Sequence, residues 1–515
     1  MARRFVVAVV LAWVVFLGLL AALISGGLDD KTVGFRLSAG QRQKKDVVVI
    51  WLGELLGGPS EIAGRKIIDD YNRAHKDVYI RAVVMPYACY LGKVNVAIAT
   101  GQPPDVCVNA VRTIDQLRVK QKVPDLAVPI PEDLMPDAVK RRYGPSCVAG
   151  VSRRGTVYLF PTQKYLFGGM LRGHRRYFEK AGINIDYYVE HGWDYRTFRE
   201  ALKKVQAEAR RERGPEAYGF GLQPAQMTTL LYQNLLPNVV GKDATERDML
   251  YYDKARRRYR LDPAVTPEKL AMPLELMQQL MNVDKTWTRK SLGMDFSQQG
   301  HDCDDLGIAA VIWSDTPGSY AQAQMGQIDR MKKGLRKEPI FRMTNVPCPT
   351  PRTGMPIVFR GGADGYGVMK QIPYKGDKHT RHALEFAKYI TSPPVLAKVM
   401  VAMYSRANPK PDEEAVFKYA KGFKDPIRQD PGLSLQWDLY LKWLSSPDIV
   451  RPNLMWPDQD TRDRISGEVE MYKEGAGHRV VEDVVYNKKK PLDAAKEILA
   501  NIKLIIDGYY RQHPR

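Results

Sequence analysis

The sequence predicts an α/β protein of two lobes behind an N-terminal membrane-spanning helix. Three observations predict it: an uncharged apolar run from Phe5 to Ile24, a body of roughly 490 residues after it, and a β-α-β-α-β order at the start of that body.

Arg3 and Arg4 precede the apolar run and the next charges are Asp29 and Asp30, so the flanks orient the chain outward. A cleaved signal has an apolar core of about 7 to 15 residues and a small-residue cleavage site, whereas about 20 apolar residues span a bilayer. Ala21 to Gly27 offers no good small-x-small site and no Cys for lipid attachment, which predicts an uncleaved anchor over residues 1–30. Residues 31–45 are polar with scattered Gly and Ser and no apolar period, as a spacer would be.

The body opens at Asp46. Asp46 to Leu52 is a continuous apolar run rich in Val, which suits a strand covered on both faces. Pro59 and Ser60 open a helix to His75 with Ile62, Ile67, Ile68 and Tyr71 on one face, and Val78 to Val84 reads as a second strand. A further helix carries Leu91, Val94, Ala97 and Ile98, stops at Gly101, and leads to a third strand at Asp105 to Val108. Parallel strands with right-handed crossovers gather their carboxyl ends on one edge, where open sheets bind ligands. Gly53, Glu54 and Asn109 lie just past such ends.

From Lys164 to about Arg360 the pattern predicts helices near Tyr195 to Arg211, Pro267 to Met281 and Ser319 to Lys333, a strand at Leu306 to Trp313, and a surface hairpin over Asp253 to Leu261. The last third holds a Gly-rich strand (Gly361 to Met369), a helix from His379 to Thr391 and several more helices, without internal repeats.

A composition of 44% hydrophobic and 26% charged residues is that of a packed protein, so disorder does not account for the length. The net charge of +20 suits nucleic acid, anionic lipid or an acidic ligand, but export removes nucleic acid as a partner. Its small clusters at Arg210 to Arg213, Arg256 to Arg260 and Lys488 to Lys490 read as solvated faces. Cys89, Cys107, Cys147, Cys303 and Cys348 contain no CxxC pair, which argues against a disulfide framework or zinc ribbon; a Cys89–Cys107 bridge stays open beside the commoner buried thiols. Serine-hydrolase elbow, zinc-protease, phosphate-loop and complete calcium-loop motifs are absent. The run His301 to Asp305 (HDCDD) lacks a second ligand pair and reads as a solvated acidic turn in a loop, so no metal or catalytic residue is expected.

Spaced phrases then add up. They are VVVIWLG (Val47 to Gly53), ATGQPPDVCV (Ala99 to Val108), RGTVYLFP (Arg154 to Pro161), and YFEKAGI (Tyr177 to Ile183) followed by GWDYRTFREALKKV (Gly192 to Val205). After these come GIAAVIW (Gly307 to Trp313), GGADGYGV (Gly361 to Val368), ALEFAKYITSPP (Ala383 to Pro394) and LDAAKEILANI (Leu492 to Ile502). In this order, over Asp46 to Asp507, they resemble the extracellular solute-binding proteins of ABC transporters, in the maltose-binding-like family 1 group that carries sugars.

The resemblance implies a two-lobed periplasmic-binding-protein fold with a hinge, crossed near Thr162, Gly365 and Lys410 and closing over a ligand. Lobe 1 would be 46–162 with a return segment 365–410, and lobe 2 would be 163–364 with the C-terminal segment 411–515. Trp193 with Asp194 reads as structural, opening the helix at Tyr195 with a carboxylate at its positive end.

Sugars present flat apolar faces ringed by hydroxyls, so a cleft for them needs aromatic platforms plus carboxylates, amides and Arg. On the template that the resemblance supplies, the ligand-binding candidates are Trp51 and Glu54, Asp105 and Asn109, Tyr165, Trp313 and Asp315, Gly362 and Asp364, and Trp456. One departure stands out. Where the family commonly has an aromatic, aromatic, Asn phrase before the Phe corresponding to Phe178, this chain has Arg172, Gly173 and His174. With Lys164 and Arg360 these would make the cleft electropositive and suit an acidic sugar such as a uronate oligosaccharide.

The implied function is carbohydrate capture at the outer face of the cell membrane and delivery to ABC permease subunits, without cofactor or catalysis. The alternatives are an exported hydrolase or lyase, since two carboxylates facing across a cleft can do acid and base work, and a membrane-tethered sugar sensor.

Overall fold

The Val-rich opening of the body forms a strand because β-branched side chains pack well on a pleated surface buried on both faces. In a computed structural model of the chain, the described residues are 46–54, 59–108, 126–137, 140, 148, 151–153, 155–294, 296–314, 327, 331, 334, 341–392, 395 and 457–513. The expected anchor (1–30), the spacer and most of the expected helix at Ser319 to Lys333 lie outside them.

Strand β1 (Asp46–Glu54) connects through helix α1 (Pro59–Ala74) to β2 (Val78–Pro86), and then through α2 (Tyr87–Ala99) to β3 (Val106–Val108). All three strands are parallel, as the alternation of elements predicts. Val48, Ile50, Ile80 and Val106 are buried against Ile67, Ile68 and Tyr71 of α1, the apolar face read from the sequence. The first sheet also takes in β4 (Leu159–Phe167).

A second sheet begins with β5 (Met170–His174) and continues with β6 (Tyr218–Gly221), which follows α3 (Tyr195–Arg213). The expected hairpin is present as β7 (Leu250–Asp253) and β8 (Arg258–Leu261). After α4 (Pro267–Gln278) and α5 (Phe296–Asp304), β9 (Ala309–Ile312) and β10 (Met343–Pro347) complete the sheet in the order β10-β5-β9-β6. The chain then returns along β11 (Arg360–Val368), giving the first sheet the order β2-β1-β3-β11-β4. Helix α6 (Asp377–Ile390) packs on the first sheet. Helices α7 (Gln459–Glu474), α8 (Ala476–Val485) and α9 (Pro491–Gln512) pack on the second: Ile465, Val484, Ile498 and Ile502 share one core with Trp193, Phe220 and Leu274.

Asp194 caps α3 by accepting from the Thr197 backbone N–H at 2.7 Å, and the buried Trp193 indole donates to the Pro347 carbonyl at 2.7 Å. That pair is structural, as read. One expectation changes. His301 to Asp304 belong to the helix α5 and not to a loop, because Cys303 must reach the core formed by Tyr218, Ala309 and Phe341. Cys107 is a buried free thiol, so it makes no bridge to Cys89; Cys303 and Cys348 are likewise free and buried.

The crossing between the sheets is a paired ribbon. β3 ends at Val108 opposite Tyr366, so the first half of β11 runs on beyond the parallel strands. There Arg360 to Asp364 pair with Phe167 to Gln163 of β4, and the register shifts between Asp364 and Gly365. Beyond the ribbon, Gly168 (φ 73°) and Gly169 (φ 71°) turn the chain into β5. A Cβ on Gly168 would stand 2.3 Å from the Gln233 carbonyl oxygen, and one on Gly169 would stand 2.5 Å from the Phe359 ring. Both positions demand glycine on conformation and on space.

At the opposite edge of the first sheet, two imidazoles dock α6. His379 Nδ1 lies 2.7 Å from Asp46 Oδ1 and its Nε2 lies 2.7 Å from Asp105 Oδ1. His382 Nδ1 lies 2.8 Å from Asp46 Oδ2 and its Nε2 lies 3.1 Å from Asp77 Oδ2. A carboxylate oxygen accepts, so the His379 ring, held between Asp46 and Asp105, donates from both nitrogens when it carries positive charge. Burial works against the His379 cation, but its bonds to Asp105 and Asp46 outweigh burial and raise its pKa. Burial likewise pushes Asp46 up, and the hydrogen bonds and charges of His379 and His382 bring it below the ordinary carboxylate value.

Two predictions follow from this architecture. Gly168→Ala should destabilise the protein by at least about 1 to 3 kcal/mol in chemical denaturation, since neither φ nor the Gln233 backbone can yield cheaply. A raised histidine pKa gives stability that is whole below the unfolded value of about 6.5 and is lost as pH rises through the folded value; a lowered Asp46 pKa gives stability present above about 3.9 and lost as pH falls through the folded value. Wild-type stability should therefore decline as pH is raised from about 6.5 through the folded His379 value, and His379→Gln should flatten that decline. An unchanged slope in the variant would count against the doubly donating imidazole.

Candidate functional site

Both sheets turn one edge toward the crossing ribbon. In the first, the parallel strands end there at Glu54, Pro86 and Val108. In the second, β6 and β9 are parallel, β5 starts at Met170 immediately after the crossing, and Pro347 at the end of β10 pairs with Met170. Trp313, which follows β9, and Leu222, which follows β6, therefore leave their strands on the crossing side.

Trp51 sits near the end of β1 opposite Val83, half-buried against the cluster of Met85, Tyr90 and Cys107. Trp313 is 7% exposed. Its backbone N–H donates to the Gly221 carbonyl at 3.1 Å and its indole Nε1 donates to Asn234 Oδ1 at 3.3 Å, so only a limited face of the ring is open to a ligand. Glu54 is the last residue of β1, paired with Pro86. In the ribbon, Tyr165 pairs with Gly362, Arg360 with Phe167 and Asp364 with Gln163, which puts these four candidates on the crossing itself. Asn109, Asp315 and Trp456 lie outside the described residues.

Three candidates are directed elsewhere. Asp105 precedes β3, so it stands at the far edge of the sheet, fully buried. Beside its bond to His379 it accepts from the Val49 backbone N–H at 2.7 Å and from the Gln371 amide, with Lys375 Nζ 3.4 Å away. Its carboxylate is committed to holding β1, β3 and α6 together. Arg172 and His174 lie on β5, whose later residues move away from the crossing. Arg172 Nη2 bonds Asp304 Oδ2 at 3.1 Å at the end of α5. His174 is 1% exposed, with Nε2 2.7 Å from the Cys303 carbonyl oxygen and its ring edge-on to Phe341. The expected electropositive cleft loses two of its four cations to the interior of the lobe.

The same edge holds polar groups that sequence reasoning missed. Gln299 is fully buried with neither amide atom hydrogen-bonded, and its Nε2 lies 3.3 Å from where a Cβ on Gly221 would stand. Gln226, just after β6, is buried with Oε1 without a partner. Gln226 stands in the GFGLQPAQM phrase, a strand-end position of the same kind as Glu54, and that argument could have reached it; nothing in the spacing of α5 marks Gln299. Burial pushes the Cys348 thiol up to about 12, against a smaller opposing pull from the Asn234 amide, so this cysteine is no nucleophile at neutral pH. Among the described residues no group of three or more His, Cys, Asp or Glu could hold a metal ion, and no helix is long and apolar enough to cross a membrane.

The sequence matches the family of bacterial extracellular solute-binding proteins over residues 58–397. No curated protein matches the chain. Solved structures align along about nine tenths of the chain. An ABC transporter solute-binding protein from Thermotoga lettingae bound with α-D-tagatose superposes with a TM-score of 0.59 at 16% identity, covering 90% of this chain and 100% of that one. Maltose-bound MalE3 of T. maritima gives 0.58 at 16% identity over 89% and 99%. UgpB from Mycobacterium tuberculosis in complex with glycerophosphocholine gives 0.56 at 16% identity over 90% and 98%. At such identities the likeness is one of fold. The family match covers about two thirds of the sequence and takes in strands of both sheets and the crossing between them, and the chain belongs to the bacterial extracellular solute-binding proteins.

Proposed function

We propose that this protein captures a carbohydrate between its lobes outside the cytoplasm and delivers it to the permease subunits of an ABC transporter. One arrangement carries the reading: two α/β sheets turn their strand ends toward a single crossing ribbon, with an indole near each edge, Trp51 and Trp313. A ligand reaching both edges gains its second set of contacts only on closure, so it binds the closed form more tightly and draws the equilibrium toward it. A permease that docks on both lobes can then distinguish the loaded protein from the empty one. Solved neighbours bound with α-D-tagatose and with maltose support a sugar as the ligand class.

A neutral sugar suits this site better than an acidic one. Arg172 and His174 are spent inside the lobe, while the second-lobe edge offers an indole and the amide of Gln226, which can both donate to and accept from hydroxyls. The protein works by binding, without cofactor or turnover. We divide it into lobe 1 (46–162 with 365–410) and lobe 2 (163–364 with 411–515). Phe5 to Ile24 serves as an uncleaved anchor whose spacer holds the lobes beside the permease at high effective concentration.

Titrating the full chain calorimetrically with neutral and uronate oligosaccharides tests this directly. Neutral oligosaccharides should bind more tightly, and Trp313→Ala should weaken binding about 10- to 100-fold, the effect of losing one aromatic stacking contact and its burial. Tighter uronate binding would restore the acidic ligand, and new reducing ends or unsaturated products would turn the protein into an enzyme. The intact mass of the protein purified from membranes should include residues 5–24; a mass that begins after Ile24 would remove the anchor.

A further inference from the structure

Three parts of the second lobe meet at one side chain. Asn234 lies in a π-helical turn, Leu230–Leu235, a local widening that recurs at functional sites. It is 1% exposed; Oδ1 accepts from the Trp313 indole at 3.3 Å, and Nδ2 donates to Cys348 Sγ at 3.6 Å. The Cys348 backbone N–H donates in turn to the Gly169 carbonyl at 2.8 Å. The preceding residue, Gln233, sets its carbonyl oxygen against Gly168, 2.3 Å from where a Cβ would stand. Consecutive residues of one turn thus touch the strand-end indole and, directly or through Cys348, both glycines of the crossing.

We infer that Asn234 is a positioning residue that fixes the Trp313 ring and couples it to the crossing at Gly168 and Gly169. The two backbones lie too close at Gly168 for even a methyl group between them, so a rotation of the crossing displaces Gln233, and close packing passes that displacement to the next residue. An amide presents its acceptor and its donors on opposite sides, so Asn234 holds indole and thiol at a fixed separation inside the lobe. A buried indole N–H left without its acceptor pays the full desolvation penalty, which ties the ring to the amide whichever way the crossing moves. The functional meaning rests on the reading of Trp313 as a ligand contact: pressure on the ring would reach the hinge through this turn. The coupling itself needs no ligand.

Hydrogen exchange measured by mass spectrometry on the full chain tests the inference without a ligand. Asn234→Leu keeps the size and removes both bonds, Asn234→Asp keeps the acceptor for the indole, and Trp313→Phe keeps an aromatic ring but drops the N–H. Peptides covering 309–314 and 166–171 should exchange faster together, by about 2- to 10-fold, in Asn234→Leu and in Trp313→Phe, the effect of losing one net hydrogen bond. Asn234→Asp should stay near wild type over 309–314, and the double variant Asn234→Leu with Trp313→Phe should exchange no faster at the crossing than either alone. Unchanged exchange over 166–171 in Trp313→Phe would overturn the coupling, as would a uniform acceleration that includes α9 in Asn234→Leu. Should Asn234→Leu fail to fold, Trp313→Phe alone decides. The ligand reading fails separately, by unaltered sugar affinity in Trp313→Ala.

Discussion

A chain that passes between two sheets has to keep its backbone hydrogen bonds satisfied on the way, and most of this structure is arranged around that need. β4 leaves the first sheet and β11 returns to it, and the two solve the problem by pairing with each other past the end of β3. The ribbon fixes which edge of each sheet faces the crossing, because β5 must start where β4 stops and β10 must end beside that start. The position of every strand-end residue, Trp51 and Trp313 included, follows from this pairing. So does the direction of Arg172 and His174, which ride β5 away from the crossing.

The two lobes are held by different means. The second lobe rests on a continuous apolar core to which helices distant in sequence contribute, from Phe198 of α3 to Ile502 of α9. The first lobe adds a charged knot, in which Asp46, Asp77 and Asp105 enclose the rings of His379 and His382. Removing one partner from such a knot leaves the others buried without their bonds, so each member is needed to hold α6 in place. Asp105 illustrates the difference between a polar residue near a strand end and one at a binding edge: the same residue type serves at the amino end of β3 as a structural bracket.

Much of the fold was legible because it is written in periodicity. The Val run of β1, the apolar face of α1 and the Gly101 stop of α2 each specify their elements locally, and their alternation dictates a parallel sheet. The cap at Asp194 was legible for the same reason. The site was less so. Which way a strand runs relative to the crossing is settled by pairing between β5 and β10, more than 160 residues apart in sequence, and without it Arg172 and His174 look like cleft residues. His301 to Asp305 looks like a loop because its residues are polar; that Cys303 is needed in the core, with Asp302 buried beside it as the acceptor of the Tyr218 hydroxyl, is a tertiary matter. Gln299, a polar residue buried without partners, defies the rule that lets burial be read from hydrophobicity.

Cys107, Cys303 and Cys348 lie fully buried in three separate clusters, and burial raises each thiol pKa, to about 12 for Cys107 and Cys348. In the finished protein they are shielded from thiol–disulfide exchange, which needs an accessible thiolate. In the nascent chain they are exposed, and wherever the outer compartment is oxidising they are open to disulfide formation. In such surroundings packing has to close over each sulfur before an oxidant reaches it, and a chain that collapses slowly would be trapped by bonds its native state does not contain.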